Sequence, residues 1–305
     1  MSSGLGVSVV IPAYNEEESI GGVVDEVFEG LKRAGVAHEV IVVDDGSTDS
    51  THKVAREHGA TVIRHEVNMG YGRALKTGVN NARFEYVAIV DADGSYPALE
   101  IPRLLSELVE GGFDMVLGER KGKQPLARLV AKFFISKLAN FIAGRKLPDI
   151  NTGLRVFKKE VFEELEGILP DGFSITATLT LACSVGGYKV GATPIQFRSR
   201  RSGRSKIRPV SSFAGFIMLL IRMALLFKPL KVFLPLALIQ GLIGVIIGGY
   251  FIITMLNIPD SCLLLLLSAM QTALLGMLAD ILAFNRLQVV RGRRGPRGSL
   301  LILNN

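Results

Sequence analysis

From residue 1 to about 208, short apolar runs alternate with charged stretches of helical period; from 209 to 284 the chain is almost continuously apolar. The first pattern is that of a water-soluble α/β domain. Apolar runs at 7–11, 39–43, 61–63, 86–90 and 113–117 read as strands, and 17–34, 50–58, 72–82 and 99–111 as helices between them. Such alternation predicts a parallel sheet with helices on its faces. Ligands of such sheets bind beyond the carboxyl ends of the strands, so chemistry is expected directly after each apolar run.

The second pattern reads as a membrane anchor. Residues 232–255 carry no charge, and at 1.5 Å per residue they extend roughly 36 Å, enough to cross a hydrocarbon core. Residues 261–284 are uncharged until Asp280, and Asn257, Pro259 and Asp260 mark a tight turn between the two. The pair predicts a transmembrane hairpin within 231–285. Arg222, Lys228 and Lys231 precede it, and Arg286, Arg291, Arg293, Arg294 and Arg297 lie in the basic tail, 286–305, that follows. The positive-inside rule then puts both termini and the domain 1–208 on the cytoplasmic side of a cell (inner) membrane, as a multi-pass protein. Two segments, 126–144 and the juxtamembrane stretch 209–230, interleave apolar residues and cations as interfacial amphipathic helices do. The first is equally readable as a helix covering the sheet.

Composition adjusts this picture little. The net charge of +7 is concentrated beside the apolar segments. Anionic lipid headgroups account for it, and no recognition motif calls for nucleic acid. Cys183 and Cys262 lie in different segments, which argues against a disulfide framework. Met1-Ser2-Ser3-Gly4 leads into the first strand without a basic region and long apolar core, so no signal peptide is expected. Gly241, Gly244, Gly248 and Gly249 suit close packing of helices, including that of a homo-oligomer.

Three acid-bearing clusters follow three of the expected strands: Pro12-Ala13-Tyr14-Asn15-Glu16-Glu17, Asp44-Asp45-Gly46-Ser47-Thr48-Asp49 and Asp91-Ala92-Asp93-Gly94-Ser95. Taken singly each could be a turn, and Ser47 and Asp49 could cap the next helix. Together, at equivalent ends of one sheet, they predict a site. Asp91 and Asp93, one residue apart, can offer hard oxygen ligands to Mg²⁺ or Mn²⁺ while leaving positions open for a diphosphate. His38, His52, His58 and His65 are scattered and are expected at the surface.

These clusters, with Asn68-Met69-Gly70-Tyr71-Gly72-Arg73-Ala74, resemble family 2 glycosyltransferases of the GT-A fold. Gly118-Glu119-Arg120, Asn151-Thr152-Gly153-Leu154-Arg155-Val156-Phe157 and Arg200-Arg201-Ser202-Gly203-Arg204-Ser205-Lys206 resemble the dolichol-phosphate mannose synthase and polyprenyl-phosphate glycosyltransferase branch. The resemblance implies an α/β, Rossmann-like nucleotide-sugar domain. Pro12, Tyr14, Glu16, Val43 and Asp45 would hold base and ribose of the donor. Asp91, Ala92 and Asp93 would meet ribose and diphosphate, with the metal on Asp93. Arg120, Arg200 and Lys206 would handle phosphate. Asp91, Asp93 and Arg200 are the expected catalytic residues.

Two features depart from the pattern. Ser95 stands where several relatives carry Gln, and its hydroxyl can still face the metal. Residues 173–178 are hydroxyl and apolar where many relatives are acidic, so the sugar is not read from them. The acceptor implied is a polyprenyl or dolichyl phosphate, with Lys132 and Ser136, one helical turn apart, as candidates for its phosphate. The expected reaction is inverting transfer of a hexose from a GDP-mannose or UDP-glucose type donor. A processive polysaccharide synthase would resemble its relatives in a Gln-x-x-Arg-Trp block, and this chain has no tryptophan. A non-catalytic nucleotide-binding membrane protein would have a broken Asp-x-Asp pair. A nucleotidyltransferase would need no membrane hairpin.

Overall fold

The structure, a computed structural model, describes residues 5–121, 140, 150, 152–198, 221, 224–255 and 259–292. The chain divides into two compact units, Met1–Phe216 and Ile217–Asn305.

In the first unit the described strands are β1 (Gly6–Ala13), β2 (Ala37–Asp44), β3 (Thr61–Arg64), β4 (Tyr86–Ile89), β5 (Met115–Lys121), β6 (Arg155–Lys158) and β7 (Val190–Gln196). They form one sheet in the order β3-β2-β1-β4-β6-β5-β7. β1, β2, β3 and β4 run parallel, as do β5 and β7. The five strands expected from the sequence all run in one direction, and the additional strand β6 is antiparallel to both β4 and β5. Its four residues close the gap between two parallel blocks, and neither β6 nor β7 stands out as an apolar run. Because β5 is antiparallel to β6, and β6 to β4, the carboxyl ends of β1, β2, β4 and β5 share one edge.

The helices are α1 (Ile20–Arg33), α2 (Thr51–Glu57), α3 (Tyr71–Asn80), α4 (Ile101–Glu110), α5 (Lys159–Leu165) and α6 (Ile175–Gly186). α1 shows how the pattern becomes packing. Ile20, Val23, Val24, Val27 and Leu31 recur at helical spacing and are all buried, against Val9, Ile11, Val40 and Val42 of the sheet. α6 breaks the amphipathic rule: nearly every residue in it is buried, Thr176, Thr178, Thr180 and Ser184 included. Its first turns meet Arg155, which is fully buried. Arg155 Nη1 donates to Thr176 O at 2.7 Å and Thr180 Oγ1 at 3.1 Å, and Nη2 donates to Thr152 O.

The second unit contains α7 (Leu230–Met255) and α8 (Asp260–Gly292). Both are long and apolar enough to cross a membrane, with most of their large apolar side chains exposed. They pack along small residues. A Cβ on Gly248 would lie 2.7 Å from Cys262 Sγ, and one on Gly276 would lie 2.6 Å from Phe233 Cβ. Gly244 and Gly248 are therefore used inside the hairpin, whereas Gly249 faces open space. Thr272 donates across the pair to Gln240 at 3.0 Å.

Candidate active site

The first two acid-bearing turns brace each other. Pro12 and Val43 are register partners across β1 and β2, as are Ala13 and Asp44. Asn15 takes a left-handed φ of 52°, which Asn tolerates better than most residues. In that conformation its amide donates to Ser47 Oγ at 2.9 Å, and its side-chain oxygen accepts from Thr48 N at 2.8 Å. Glu16 N donates to Thr51 Oγ1 at 2.8 Å. The cap of α2 is Ser50 rather than Ser47 or Asp49, although Asp49 Oδ1 accepts from Thr51 N at 3.0 Å. Burial pushes the Asp49 carboxyl up, but these hydrogen bonds outweigh it and hold the group below its ordinary value.

Asp44 and Asp45 are both buried and do different work. Asp44 Oδ1 accepts the Ser47 amide at 2.9 Å, and Oδ2 lies 3.2 Å from Arg64 Nε, an ion pair without hydrogen-bond alignment. Asp45 organises the chain after β3: Oδ1 meets His65 Nδ1 at 2.7 Å and Met69 N at 2.9 Å, and Oδ2 accepts Gly70 N at 2.8 Å. His65, expected at the surface, is instead in this interior network, with Nε2 3.0 Å from Thr77 Oγ1. A lone histidine between polar residues carried no periodic signal of that burial.

Asp45 thereby fixes the start of α3. Gly70 has φ of 101°, and a Cβ on it would lie 2.8 Å from Asp171 O. Gly72 approaches Pro170 and Asp171 as closely. Arg73 N donates to Asp171 O at 3.1 Å, and Lys76 Nζ reaches Leu169 O and Asp171 Oδ1, each at 2.7 Å. Tyr71, between the two glycines, stacks on Phe173 with centroids 5.1 Å apart and donates its hydroxyl to Asp91 Oδ1 at 2.8 Å. Burial first, then the charge of Asp91, pushes the Tyr71 phenol well above its ordinary value, so it remains a donor.

The third turn follows β4. Ala92, Asp93 and Ser95 are buried and Asp91 is half-buried. Ser95 donates to Asp93 Oδ1 from both its amide, at 3.0 Å, and its hydroxyl, at 2.6 Å. Gly153 lies so close that a Cβ there would be 2.1 Å from Asp91 Oδ2 and 2.7 Å from the Tyr96 ring. Burial lowers the affinity of Arg155 for its proton, while the neighbouring Tyr71, Tyr96 and Asp91 raise it. From β5, Arg120 lies over the Phe197 ring at 5.6 Å, and that ring meets Tyr96 edge-on at 5.2 Å. Arg198 N donates to Ser95 O at 3.0 Å, and its guanidinium bonds both oxygens of buried Glu26 at 3.1 Å. The chain leaving β7 is thus tied to the Asp-x-Asp turn.

Pro12, Tyr14, Glu16, Val43, Asp45, Asp91, Ala92, Asp93, Ser95 and Arg120 accordingly come to one edge of the sheet. Lys132, Ser136, Arg200 and Lys206 lie outside the described residues. Among the described residues no group of three His, Cys, Asp or Glu side chains is placed to hold a metal. The donor set still suits a hard cation. Asp93 is a carboxylate oriented by Ser95, and Mg²⁺ or Mn²⁺ in phosphate chemistry commonly takes one or two carboxylates, with substrate and water oxygens completing the shell.

A model for "Glycosyl transferase family 2" matches residues 8–166. The chain belongs to that family. This glycosyltransferase also matches a "GtrB C-terminal hairpin" over residues 228–284, which with its two apolar helices marks it as membrane-associated. It is similar to a dolichyl-phosphate hexose transferase of Haloferax volcanii, 35% identical over 216 residues that make up 68% of this chain and 88% of the relative. Its fold is similar to that of glucosyl-3-phosphoglycerate synthase from Mycobacterium tuberculosis in complex with Mn²⁺, UDP-glucose and phosphoglyceric acid. The TM-score is 0.56 and the identity 26%, over 73% of this chain and 79% of the other. Mannosyl-3-phosphoglycerate synthase from Rubrobacter xylanophilus shares the fold at a TM-score of 0.59 and 23% identity, over 73% and 74%.

Proposed function

We propose that this glycosyltransferase moves a hexose, with inversion, from a GDP-mannose or UDP-glucose type donor to a polyprenyl or dolichyl phosphate at the cytoplasmic face of a membrane. The observation that carries the reading is the convergence of three acid-bearing turns on one sheet edge, in a chain that also has an apolar hairpin. The Haloferax volcanii relative supports the lipid acceptor, and the UDP-glucose complex of the structural neighbour supports the donor class.

Pro12, Tyr14, Glu16, Val43 and Asp45 hold the base and ribose, with Asp91 and Ala92 beside them. Asp93, with Ser95 against it, would hold the divalent cation, which when bound would supply charge stabilisation to the departing nucleoside diphosphate. Arg120, Arg200 and Lys206 offset the repulsion between the donor diphosphate and the acceptor phosphate. Lys132 and Ser136 receive the acceptor. A lipid phosphate oxygen is already anionic near neutral pH, so the site needs no strong general base. That oxygen bonds to the anomeric carbon as the bond to the diphosphate breaks, and the bonding pair leaves with the nucleotide.

The test is transfer from radiolabelled nucleotide-sugars to undecaprenyl phosphate, dolichyl phosphate and 3-phosphoglycerate, with Mn²⁺ and with EDTA. Label entering the lipid phase from one donor, and lost with EDTA, is the expected result. Label on 3-phosphoglycerate alone, or on no acceptor, overturns the lipid-phosphate reading.

A further inference from the structure

Asp91 is held at both of its oxygens by residues that the donor-binding motifs leave without a role. Oδ1 accepts the Tyr71 hydroxyl at 2.8 Å, and Oδ2 lies against the bare Cα of Gly153. Tyr71 is itself restrained from three sides. Asp45 binds the amides of Met69 and Gly70 just before it. Lys76 and the Arg73 amide clamp the start of α3 to Leu169 and Asp171. Phe173 stacks on its ring, with planes 15° apart. A phenylalanine would make that stack equally well, so packing leaves the hydroxyl unexplained. The hydroxyl bonds the carboxylate that opens the Asp-x-Asp turn.

We propose that Tyr71 is a positioning residue for the donor: its hydroxyl fixes the Asp91 carboxylate in the orientation in which Asp91 meets the nucleotide-sugar. The inference rests on the reading of Asp91 as a donor contact. The loop after β3, pinned by Asp45, is then part of the donor site without touching the donor. Asp45 acts on two levels, through its own place among the base-binding residues and through the loop that delivers Tyr71.

Removing the hydroxyl alone, in Tyr71→Phe, keeps the ring on Phe173 and the fold intact, with a small fall in melting temperature from the lost hydrogen bond. It frees the Asp91 carboxylate to rotate. Loss of a hydrogen bond to a charged group predicts donor binding weaker by about tenfold. A steady-state assay should show the same change in the donor KM, with the acceptor KM unaltered. A merely structural role would move both KM values together.

The deciding experiment is a double-mutant cycle of wild type, Tyr71→Phe, Asp91→Ala and the double variant. Full-length protein in detergent with Mn²⁺ is titrated calorimetrically with UDP-glucose and with GDP-mannose. The expected result is that Tyr71→Phe weakens binding in the wild-type background and has no further effect once Asp91 is alanine. Wild-type affinity in Tyr71→Phe, or an equal penalty in both backgrounds, overturns the role of Tyr71 while leaving the donor reading intact. If the wild-type protein binds neither donor, the donor reading fails first and the inference falls with it.

Discussion

At the scale of single residues the site depends on side chains that orient other side chains. Asp93 is buried, and Ser95 donates twice to its Oδ1 from two residues away, which fixes the orientation of the carboxylate. If Asp93 holds the cation as proposed, Asp93→Ala should lower turnover by at least about a hundredfold, on the order of what loss of one key electrostatic group costs an enzyme. Near-normal transfer by that variant in the labelled-donor assay would remove Asp93 from the metal site. Asp171 illustrates a weaker effect with a clear sign. Its hydrogen bond from Lys76 holds the carboxyl below its ordinary value of 3.8, with burial acting the other way. A depressed carboxyl contributes stability above its unfolded pKa and loses it as the pH falls through the folded one. The melting temperature of Asp171→Asn should therefore lie below that of wild type at neutral pH, and the two should converge below pH 3.8. The pair is partly exposed, so the difference amounts to no more than about 1 kcal/mol. Equal melting temperatures at neutral pH would show that the clamp on α3 does not need this ion pair.

At the scale of elements, the joint between β6 and α6 sets the geometry behind the site. β6 places Arg155 under the sheet edge, and α6 meets it with a carbonyl and a hydroxyl at its first turns. The same short run of chain puts Gly153 against Asp91. Arg155→Met would leave the buried carbonyl oxygen of Thr152 short of its guanidinium donor, at about 1–3 kcal/mol, whereas Thr176 O keeps the Thr180 hydroxyl. Chemical denaturation should show a loss of about 1–3 kcal/mol, and a midpoint equal to that of wild type would show that the cluster tolerates a dry replacement. The motif 151–157 was visible in the sequence, but its mechanical role was not. An arginine beside an apolar run reads equally as a surface cation, and only the fold brings it to the Thr176 carbonyl and Thr180 hydroxyl of α6. The same holds for His65 and Tyr71, each of which acts through partners distant in the chain.

At the scale of the whole molecule, the two units were separable by hydropathy alone. α7 and α8 have mean hydropathies of 2.3 and 2.0 over their candidate spans and expose large apolar side chains along their length. Apolar surface in water costs about 25 cal/mol per Å², which accords with the membrane association that the hairpin match indicates. Full-length protein should stay in the membrane pellet after an alkaline carbonate wash and move to the supernatant only with detergent. Release by carbonate alone would contradict a spanning hairpin.

Local periodicity and turn chemistry in the sequence determined the strands up to β5, the helices between them, the hairpin and the three acid-bearing turns. Those features depend on residues within one turn or one run, where side-chain spacing maps directly onto burial. The tertiary structure decided the antiparallel β6 between the two parallel blocks, the interior helix α6, and the partners of Asp45, Asp91 and Arg155. Strand order and side-chain pairing depend on contacts between residues tens of positions apart, such as Lys76 with Asp171 and Tyr71 with Asp91. No local pattern encodes those pairings; they follow from which surfaces can be buried together once the chain has folded.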